Sequence, residues 1–184
     1  MNYQFRNSLI FADSVVYSAT AGLGERAYQF NIRGILSGRY RQSVKFDFGS
    51  VISGDQTKIP RLWECTAAIP MTNSGTGEIS IFVGFSDSPV SGVGNPAGLS
   101  GVDGEWHGYG TTPSDADEVV DSLMSIGSQD PPVTVTNDQI LQFGVFSPKA
   151  RYGILVVKNG LSVALPNLNT RTSLRLKPIY ELKG

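Results

Sequence analysis

The chain has 184 residues, a formal net charge of -1, 21 glycines, ten prolines, one cysteine and one histidine. A single cysteine excludes an intramolecular disulfide framework and a zinc site built from several thiolates, and a single histidine excludes multi-histidine metal centres. The length suits one domain with a single core, and the many turn residues beside only one helical pattern predict an all-β sandwich or barrel.

The N-terminal segment, residues 1–26, is predicted to form an arm or an edge strand. Its apolar side chains follow no sustained period and include Tyr3, Phe5, Leu9, Ile10 and Phe11. A contiguous apolar surface is usually covered by another part of the protein or by a partner, so we expect the arm to pack on its own sandwich or on a neighbouring subunit. No apolar run is long or uninterrupted enough for a secretory signal or a membrane span, and a soluble protein is expected.

Residues 27–184 are predicted to form one β-sandwich domain. Alternation of apolar and polar side chains, which marks strands with one face on a core, predicts strands at residues 27–36, 43–48 and 62–69. The third of these places Trp63 on an inward face, together with Cys65. The next segment, EISIFVGF at residues 78–85, is apolar enough to lie at the centre of a sheet.

A long Gly/Ser-rich loop is predicted at residues 86–114, with Trp106, His107 and Tyr109 near its end. Loops of this length are uncommon in compact domains and tend to be functional or held by a partner. A helix is predicted at residues 115–126, with Ser114 as its N-cap and Gly127 just past its end.

The C-terminal part contains the strongest strand pattern of the chain. A strand at residues 139–146 is followed by RYGILVVK at 151–158, which is apolar on both faces. Asn159-Gly160 then predicts a type I′ hairpin turn, with a return strand at Leu161, Val163 and Leu165. Alternation of apolar and polar residues predicts a last strand at 170–176. Beyond it, Pro178 permits only an edge or terminal position.

Charge is segregated along the sequence. Residues 1–61 hold eight Lys/Arg and four acids, residues 62–148 hold no Lys/Arg and eleven acids, and residues 149–184 hold seven Lys/Arg and one acid. Either the basic ends pair with the acidic middle inside one chain, or acidic loops of one copy meet basic surface on another. Nucleic-acid binding is not favoured, because the basic residues are interleaved with few aromatics.

The polar residues give few candidates for chemistry. Asp103, Glu105 and His107 alternate in a way that could hold a divalent ion, although a solvated loop explains the pattern as well. No G-x-S-x-G motif marks a nucleophilic serine for His107. The candidates for a carboxylate pair are suggested only by proximity, and they are Glu78, Asp87, Asp103 and Glu105. We therefore predict no catalytic residue, no metal ligand and no cofactor.

Three segments resemble the small jelly-roll structural proteins of tailed bacteriophages, in particular capsid decoration (cement) proteins. They are IFVGFSDSPVSGVGNPAGLSG, YGILVVKNGLSVAL and TRTSLRLKPIYE, and the resemblance spans residues 78–182. It implies a jelly-roll-like antiparallel β-sandwich on the capsid surface of a virion, made in the host cytoplasm and present as a dimer or trimer. Such a protein binds the major capsid protein without catalysis. From the basic residues and the apolar runs of the sequence, we expect no nucleic-acid or membrane partner.

The predicted interface residues come from apolar and aromatic character, and they are Tyr3, Phe5, Leu9, Ile10, Phe11, Trp106, His107 and Tyr109. Aromatic residues are enriched as interface anchors. The alternative function is a carbohydrate-binding or receptor-binding module of a tail or fibre, in which Trp106 and Tyr109 would stack on sugars. A hydrolytic enzyme that depends on His107 is a third possibility.

Overall fold

The computed structural model describes residues 8–12, 26–51, 62–70, 75–131, 138–167 and 172–179. Within these residues the chain forms eleven strands, one α-helix and two 3₁₀ helices. The strands are β1 (Leu9–Ala12), β2 (Arg26–Gln29), β3 (Arg39–Gln42), β4 (Phe46–Asp47), β5 (Leu62–Pro70), β6 (Ile79–Ser86), β7 (Gly104–Glu105), β8 (Met124–Gln129), β9 (Asp138–Phe146), β10 (Tyr152–Asn159) and β11 (Ser173–Ile179). The helices are α1 (Pro113–Asp117) and the 3₁₀ helices Phe48–Val51 and Val120–Ser122.

The strands form two sheets, which confirms the predicted all-β sandwich. The five-stranded sheet has the order β2-β1-β11-β5-β9, and the six-stranded sheet has the order β7-β3-β10-β6-β8, with β4 also paired to β10. When the short strands β2, β4 and β7 are left out, eight strands remain. Counted in chain order, one sheet (β1-β11-β5-β9) contains the first, eighth, third and sixth of them. The other sheet (β3-β10-β6-β8) contains the second, seventh, fourth and fifth. This is the strand order of a jelly roll. All pairings are antiparallel except that of β1 with β2.

The main core lies between the two sheets. Trp63 and Cys65 point inward from β5 as predicted, and they meet Ile81 of β6 and Leu155 of β10 in one apolar cluster. Phe48 packs against Trp63 with ring centroids 5.3 Å apart. Each such buried side chain contributes about 1.5–3 kcal/mol. The predicted strands at 62–69, 78–85 and 139–146 are therefore confirmed, and β6 lies inside its sheet.

Strand β10 is buried on both faces, as the sequence predicts. Leu155 and Val157 point into the main core, whereas Ile154 and Val156 belong to a second apolar cluster on the other side of the six-stranded sheet. Double burial of an antiparallel strand requires a layer over the outer face of its sheet. In this chain the layer is the segment between β6 and β8.

The predicted hairpin after β10 is wrong. Residues 160–167 form no strand, and the buried Asn159 side chain instead donates hydrogen bonds to the carbonyls of Ile35 and Val163, at 2.8 and 2.9 Å. The amide of Leu161 donates to Asn159 Oδ1 at 3.1 Å, which closes an Asx turn. Since β3 and β6 already flank β10, no edge is free for a returning strand, and the chain crosses to the other sheet.

The predicted helix at 115–126 is also wrong in its extent. Helix α1 has only five residues and begins after Thr112, which is the N-cap in place of Ser114. Ala116, Val120 and Leu123 do form an apolar stripe, and they pack in the second cluster. The chain then becomes β8, because pairing with the exposed edge of β6 satisfies its backbone groups.

The N-terminal apolar residues belong in part to the chain's own sandwich. Leu9–Ala12 lies between β2 and β11, so it is an interior strand of the five-stranded sheet. Leu9 and Phe11 enter the main core, whereas Tyr3 and Phe5 lie outside the described residues. At the other end of the chain, Pro178 pairs with β5 beyond the residues that β1 covers, as expected for a residue without an amide hydrogen.

On both sides of the sandwich, an edge strand of the five-stranded sheet lies close to the other sheet. At one side, the amide of Val44, next to β4, donates to the carbonyl of Gln29 in β2 at 3.2 Å. At the other side, β8 and β9 each carry a bulge, near Gly127 and Gly144, and approach each other closely. A Cβ atom on Gly127 would lie 2.0 Å from the carbonyl oxygen of Phe143. Edges closed in this way are poor templates for another strand.

Candidate interaction surface

The long loop predicted at 86–114 is a packed layer with its own core. Trp106 is 1% exposed, and its ring lies edge-on to Tyr40 with centroids 5.5 Å apart. Its indole nitrogen donates to the carbonyl of Ala97 at 2.9 Å. Ile154 and Val156 of β10 form the floor of this cluster. Trp106 is thus used inside the chain, and its ring is not on the surface for a sugar or a partner to contact.

The predicted interface residues do not form one surface. Leu9 and Phe11 lie in the main core, and Ile10 is buried on the opposite side of β1. His107 is partly exposed, with Nε2 3.4 Å from Glu105 Oε2. Tyr109 is 77% exposed and is the predicted residue that presents most of its side chain to solvent.

The alternating polar residues of the loop do not converge on a metal. The Asp103 carboxylate is 3% exposed and accepts hydrogen bonds from the amide of Asn31, at 3.2 Å, and from Arg41 Nε, at 3.0 Å. Glu105 instead faces His107. Among the residues that the structure describes, no three His, Cys, Asp or Glu side chains are placed to hold a metal ion. Asp103 therefore fastens the loop to β3 and to the segment that precedes it.

A second polar contact joins α1 to the six-stranded sheet. Tyr40 Oη donates to Asp117 Oδ1, and Lys158 Nζ donates to the same oxygen at 2.8 Å. Burial and the hydrogen bond to Asp117 raise the pKa of Tyr40 to about 12. The hydrogen bonds from Lys158 and Tyr40 lower the pKa of Asp117. Lys158 also lies 4.9 Å from the centre of the Tyr40 ring, within the range of a cation–π contact.

These contacts bear on the charge segregation seen in the sequence. Arg41 pairs with Asp103, and Lys158 pairs with Asp117. In each pair the base comes from a basic terminal segment and the acid from the acidic middle of the chain. Internal pairing thus accounts for part of the segregation.

Lys45 organises the first part of the loop. Its ammonium group donates to Ser86 Oγ at 3.1 Å and to the carbonyls of Ser88, Val90 and Val93 at 3.0, 2.7 and 2.9 Å. The Lys45 amide also donates to the carbonyl of Gly101 at 3.0 Å. Partial burial lowers the pKa of Lys45. Hydrogen bonds from a charged donor are stronger than neutral ones, so the Lys45 side chain holds residues 86–93 in one conformation. The Lys45 amide holds the second stretch of the loop, at Gly101.

The loop fixed by Lys45 carries three solvent-exposed valines, which we call the valine surface: Val90, Val93 and Val102. Each is more than half exposed. Ser91 Oγ lies 3.5 Å from the carbonyl of Gly101, which brings the two stretches together. These residues are not predicted from the sequence, because the valines of this Gly/Ser-rich loop follow no helix or strand period. The available signal was three β-branched apolar residues where a loop is otherwise polar.

A second exposed apolar region lies on the outer face of the five-stranded sheet. Its exposed side chains are on β5, β9 and β11, and they are Leu62, Ile140, Val145 and Ile179. Ile140 is 77% exposed. No alternation pattern predicted this, because an apolar residue on a strand is ordinarily assigned to the core.

Comparison of the chain with protein-family models, with curated proteins and with solved structures gives no match. Among the described residues, no helix is long and apolar enough to cross a membrane.

Proposed function

We propose that the chain is a non-enzymatic structural protein of a virus particle that binds the capsid shell through the valine surface. The observation that carries this proposal is the Lys45 contact set, which holds exposed apolar side chains in a fixed conformation. An apolar group that is ordered before binding loses little conformational entropy when a partner covers it. Exposed apolar clusters on folded proteins usually mark such contacts.

Two further observations support the virion part of the proposal. The strand order is that of the jelly roll, an architecture that viral capsid proteins share with lectins and cupins. Residues 78–182 resemble capsid decoration proteins, and this range contains the loop with the valine surface. Because one fold carries many functions, the choice among these classes has to come from the surface chemistry.

Carbohydrate binding by a tail or fibre module is the second candidate. Tyr109 is exposed between Gly108 and Gly110, and an open aromatic face of this kind can stack on a sugar ring. The buried position of Trp106 removes the other aromatic residue that this function would have used. Shell binding is favoured because three apolar side chains, rather than one aromatic ring, are held at the surface.

The test is co-sedimentation with empty head shells assembled from the capsid protein encoded in the same genome. The wild-type chain should bind saturably, and Val90→Ser combined with Val93→Ser should weaken binding by at least about tenfold. Leu36→Ser, at an exposed apolar position on a different loop, is the matched control and should bind like the wild type. Thermal unfolding would verify that all three proteins are folded.

Failure of the wild-type chain to sediment with the shells would overturn the proposal. Saturable binding on a glycan array that Tyr109→Ala abolishes would favour the carbohydrate function instead.

A further inference from the structure

Asn159-Gly160 is the one Asn-Gly dipeptide in the sequence, and it lies where β10 ends. In an accessible and mobile backbone this dipeptide loses the asparagine side-chain amide spontaneously, because glycine has no Cβ atom to obstruct attack by its nitrogen. The dipeptide is therefore a site of chemical modification unless the fold prevents the reaction. The contacts of the two residues decide between these cases.

The asparagine side chain is held by hydrogen bonds on both its nitrogen and its oxygen. Asn159 is fully buried, and its side-chain nitrogen, which would be the leaving group, donates to the carbonyls of Ile35 and Val163 at 2.8 and 2.9 Å. Its Oδ1 accepts from the amide of Leu161 at 3.1 Å. The side chain is therefore fixed in one orientation, with its leaving group engaged.

The attacking nitrogen is fixed as well. The amide of Gly160 donates its hydrogen to the carbonyl of Glu78 at 2.9 Å. The Asn159 backbone is paired with Ile79 of β6 on one side and with Arg39 of β3 on the other. The nitrogen and the side chain can therefore react only after this end of β10 has separated from its neighbours, which is a local unfolding event.

We propose that Asn159 is a deamidation site that the fold protects, so that it reacts only in molecules in which this end of β10 is open. The Gly160 nitrogen gives its proton to hydroxide and forms a bond to Asn159 Cγ. The bond between Cγ and Nδ2 breaks, and the nitrogen takes a proton from water and leaves as ammonia. Water then opens the five-membered imide ring at either carbonyl, which leaves aspartate or isoaspartate at position 159.

The product does not fit the site that the asparagine occupied. A carboxylate cannot donate to the carbonyls of Ile35 and Val163, and it would place a buried negative charge against both oxygens. The reaction therefore prevents an opened molecule from closing again in the native way, and it removes such molecules irreversibly. This inference does not depend on the proposed shell contact, because the site is separate from the valine surface.

Peptide mapping by mass spectrometry tests the protection. The full chain is incubated at one mildly alkaline pH and one temperature, with and without guanidinium chloride, and conversion at Asn159 is followed over time. Asn159 should react at least about a hundredfold more slowly in the folded chain than in the unfolded chain. Similar rates in the two samples, or an Asn159 that does not react in denaturant, would overturn the inference.

Gly160→Ala tests the attacking atom in the same denaturant. The added Cβ atom should slow conversion at Asn159 by about tenfold or more, and this measurement does not require the variant to fold. An unchanged rate would show that the Gly160 nitrogen is not the nucleophile.

Asn159→Asp tests the effect of the product, because it has the side chain of the deamidated chain with a normal backbone. Its unfolding temperature should be at least about 5 °C below that of the wild type, or the variant should fail to fold. Asn167→Asp makes the same chemical change at an exposed position and should unfold at the wild-type temperature. Wild-type thermal stability of Asn159→Asp would contradict the conclusion that deamidation blocks closure.

Discussion

Lys45 is the single side chain on which the shape of the valine surface depends most. Lys45→Met retains the apolar stem but removes the ammonium group and its hydrogen bonds to Ser86, Ser88, Val90 and Val93. We expect the backbone amides of residues 88–93 to exchange with solvent at least about tenfold faster, as measured by hydrogen exchange. The free energy of unfolding should fall by only about 1–2 kcal/mol, because water can reach the exposed carbonyls.

Lys149→Met is the matched control, since Lys149 is exposed and has no described partner. It should leave both the exchange rates and the stability at wild-type values. Unchanged exchange in Lys45→Met would contradict the role of Lys45 in ordering the loop.

Tyr40 makes the stability of the folded chain fall as the pH rises through the alkaline range. The folded state holds the Tyr40 proton with a pKa of about 12, above the ordinary value of about 10. The folded state therefore binds more protons than the unfolded state between these values. The contribution of Tyr40 to the free energy of unfolding is complete below about pH 10 and is lost as the pH rises through about 12.

Tyr40→Phe should reduce the free energy of unfolding by about 1 kcal/mol at neutral pH, through loss of the hydrogen bond to Asp117. It should also remove up to about 2 kcal/mol of the decline between pH 10 and 12. Urea unfolding at a series of pH values measures both effects. Tyr109→Phe changes an exposed hydroxyl and should follow the wild type. A variant at Tyr40 with the same alkaline decline as the wild type would contradict this account.

At the level of the elements, two glycines allow β8 and β9 to close one side of the sandwich. Gly127→Ala would place a methyl group 2.0 Å from the carbonyl oxygen of Phe143, at a backbone φ of 156°. Backbone atoms cannot move away without separating the two sheets at this side. We expect a loss of about 1–3 kcal/mol in the free energy of unfolding, measured with denaturant.

Gly104→Ala is the control for this substitution. No atom lies within 4 Å of a Cβ built on Gly104, so its stability should remain within about 0.5 kcal/mol of the wild type. Equal stability of the two variants would show that the close approach of β8 and β9 is not needed.

Strands could be predicted from the sequence where the pattern of apolar residues agrees with the position that the strand occupies in its sheet. The alternation around Trp63 predicted β5, and the doubly apolar segment at 152–157 predicted the central position of β10. Prediction failed where a local signal competed with the topology. Asn159-Gly160 is a strong hairpin signal, yet both edges of β10 are occupied, and pairing with β6 likewise overrode the helical pattern before Met124.

The candidate surface was less predictable than the fold. Aromatic character pointed to Trp106, but a large apolar ring in a Gly-rich loop can serve as the core of that loop, and here it does. The exposed valines and Ile140 look like core residues in the sequence. Exposure of an apolar residue depends on which layers cover which sheet, and a local pattern does not contain that information.

At the scale of the whole molecule, the surface proposed to contact the shell lies on one side of the sandwich, on the loop held by Lys45. The five-stranded sheet is on the opposite side, and its exposed apolar residues Ile140 and Val145 are on β9. Under the proposed function, the valine surface would face the shell, so that each bound copy would add interface area that resists rupture.

The most direct test of the proposed function is the composition of purified virus particles produced from the genome that encodes the chain. Quantitative mass spectrometry should find the chain in a fixed ratio to the major capsid protein. Particles made with Val90→Ser and Val93→Ser in the chain should contain much less of it, while Leu36→Ser leaves the ratio unchanged. Absence of the wild-type chain from purified particles would contradict a role as a structural protein of the virion.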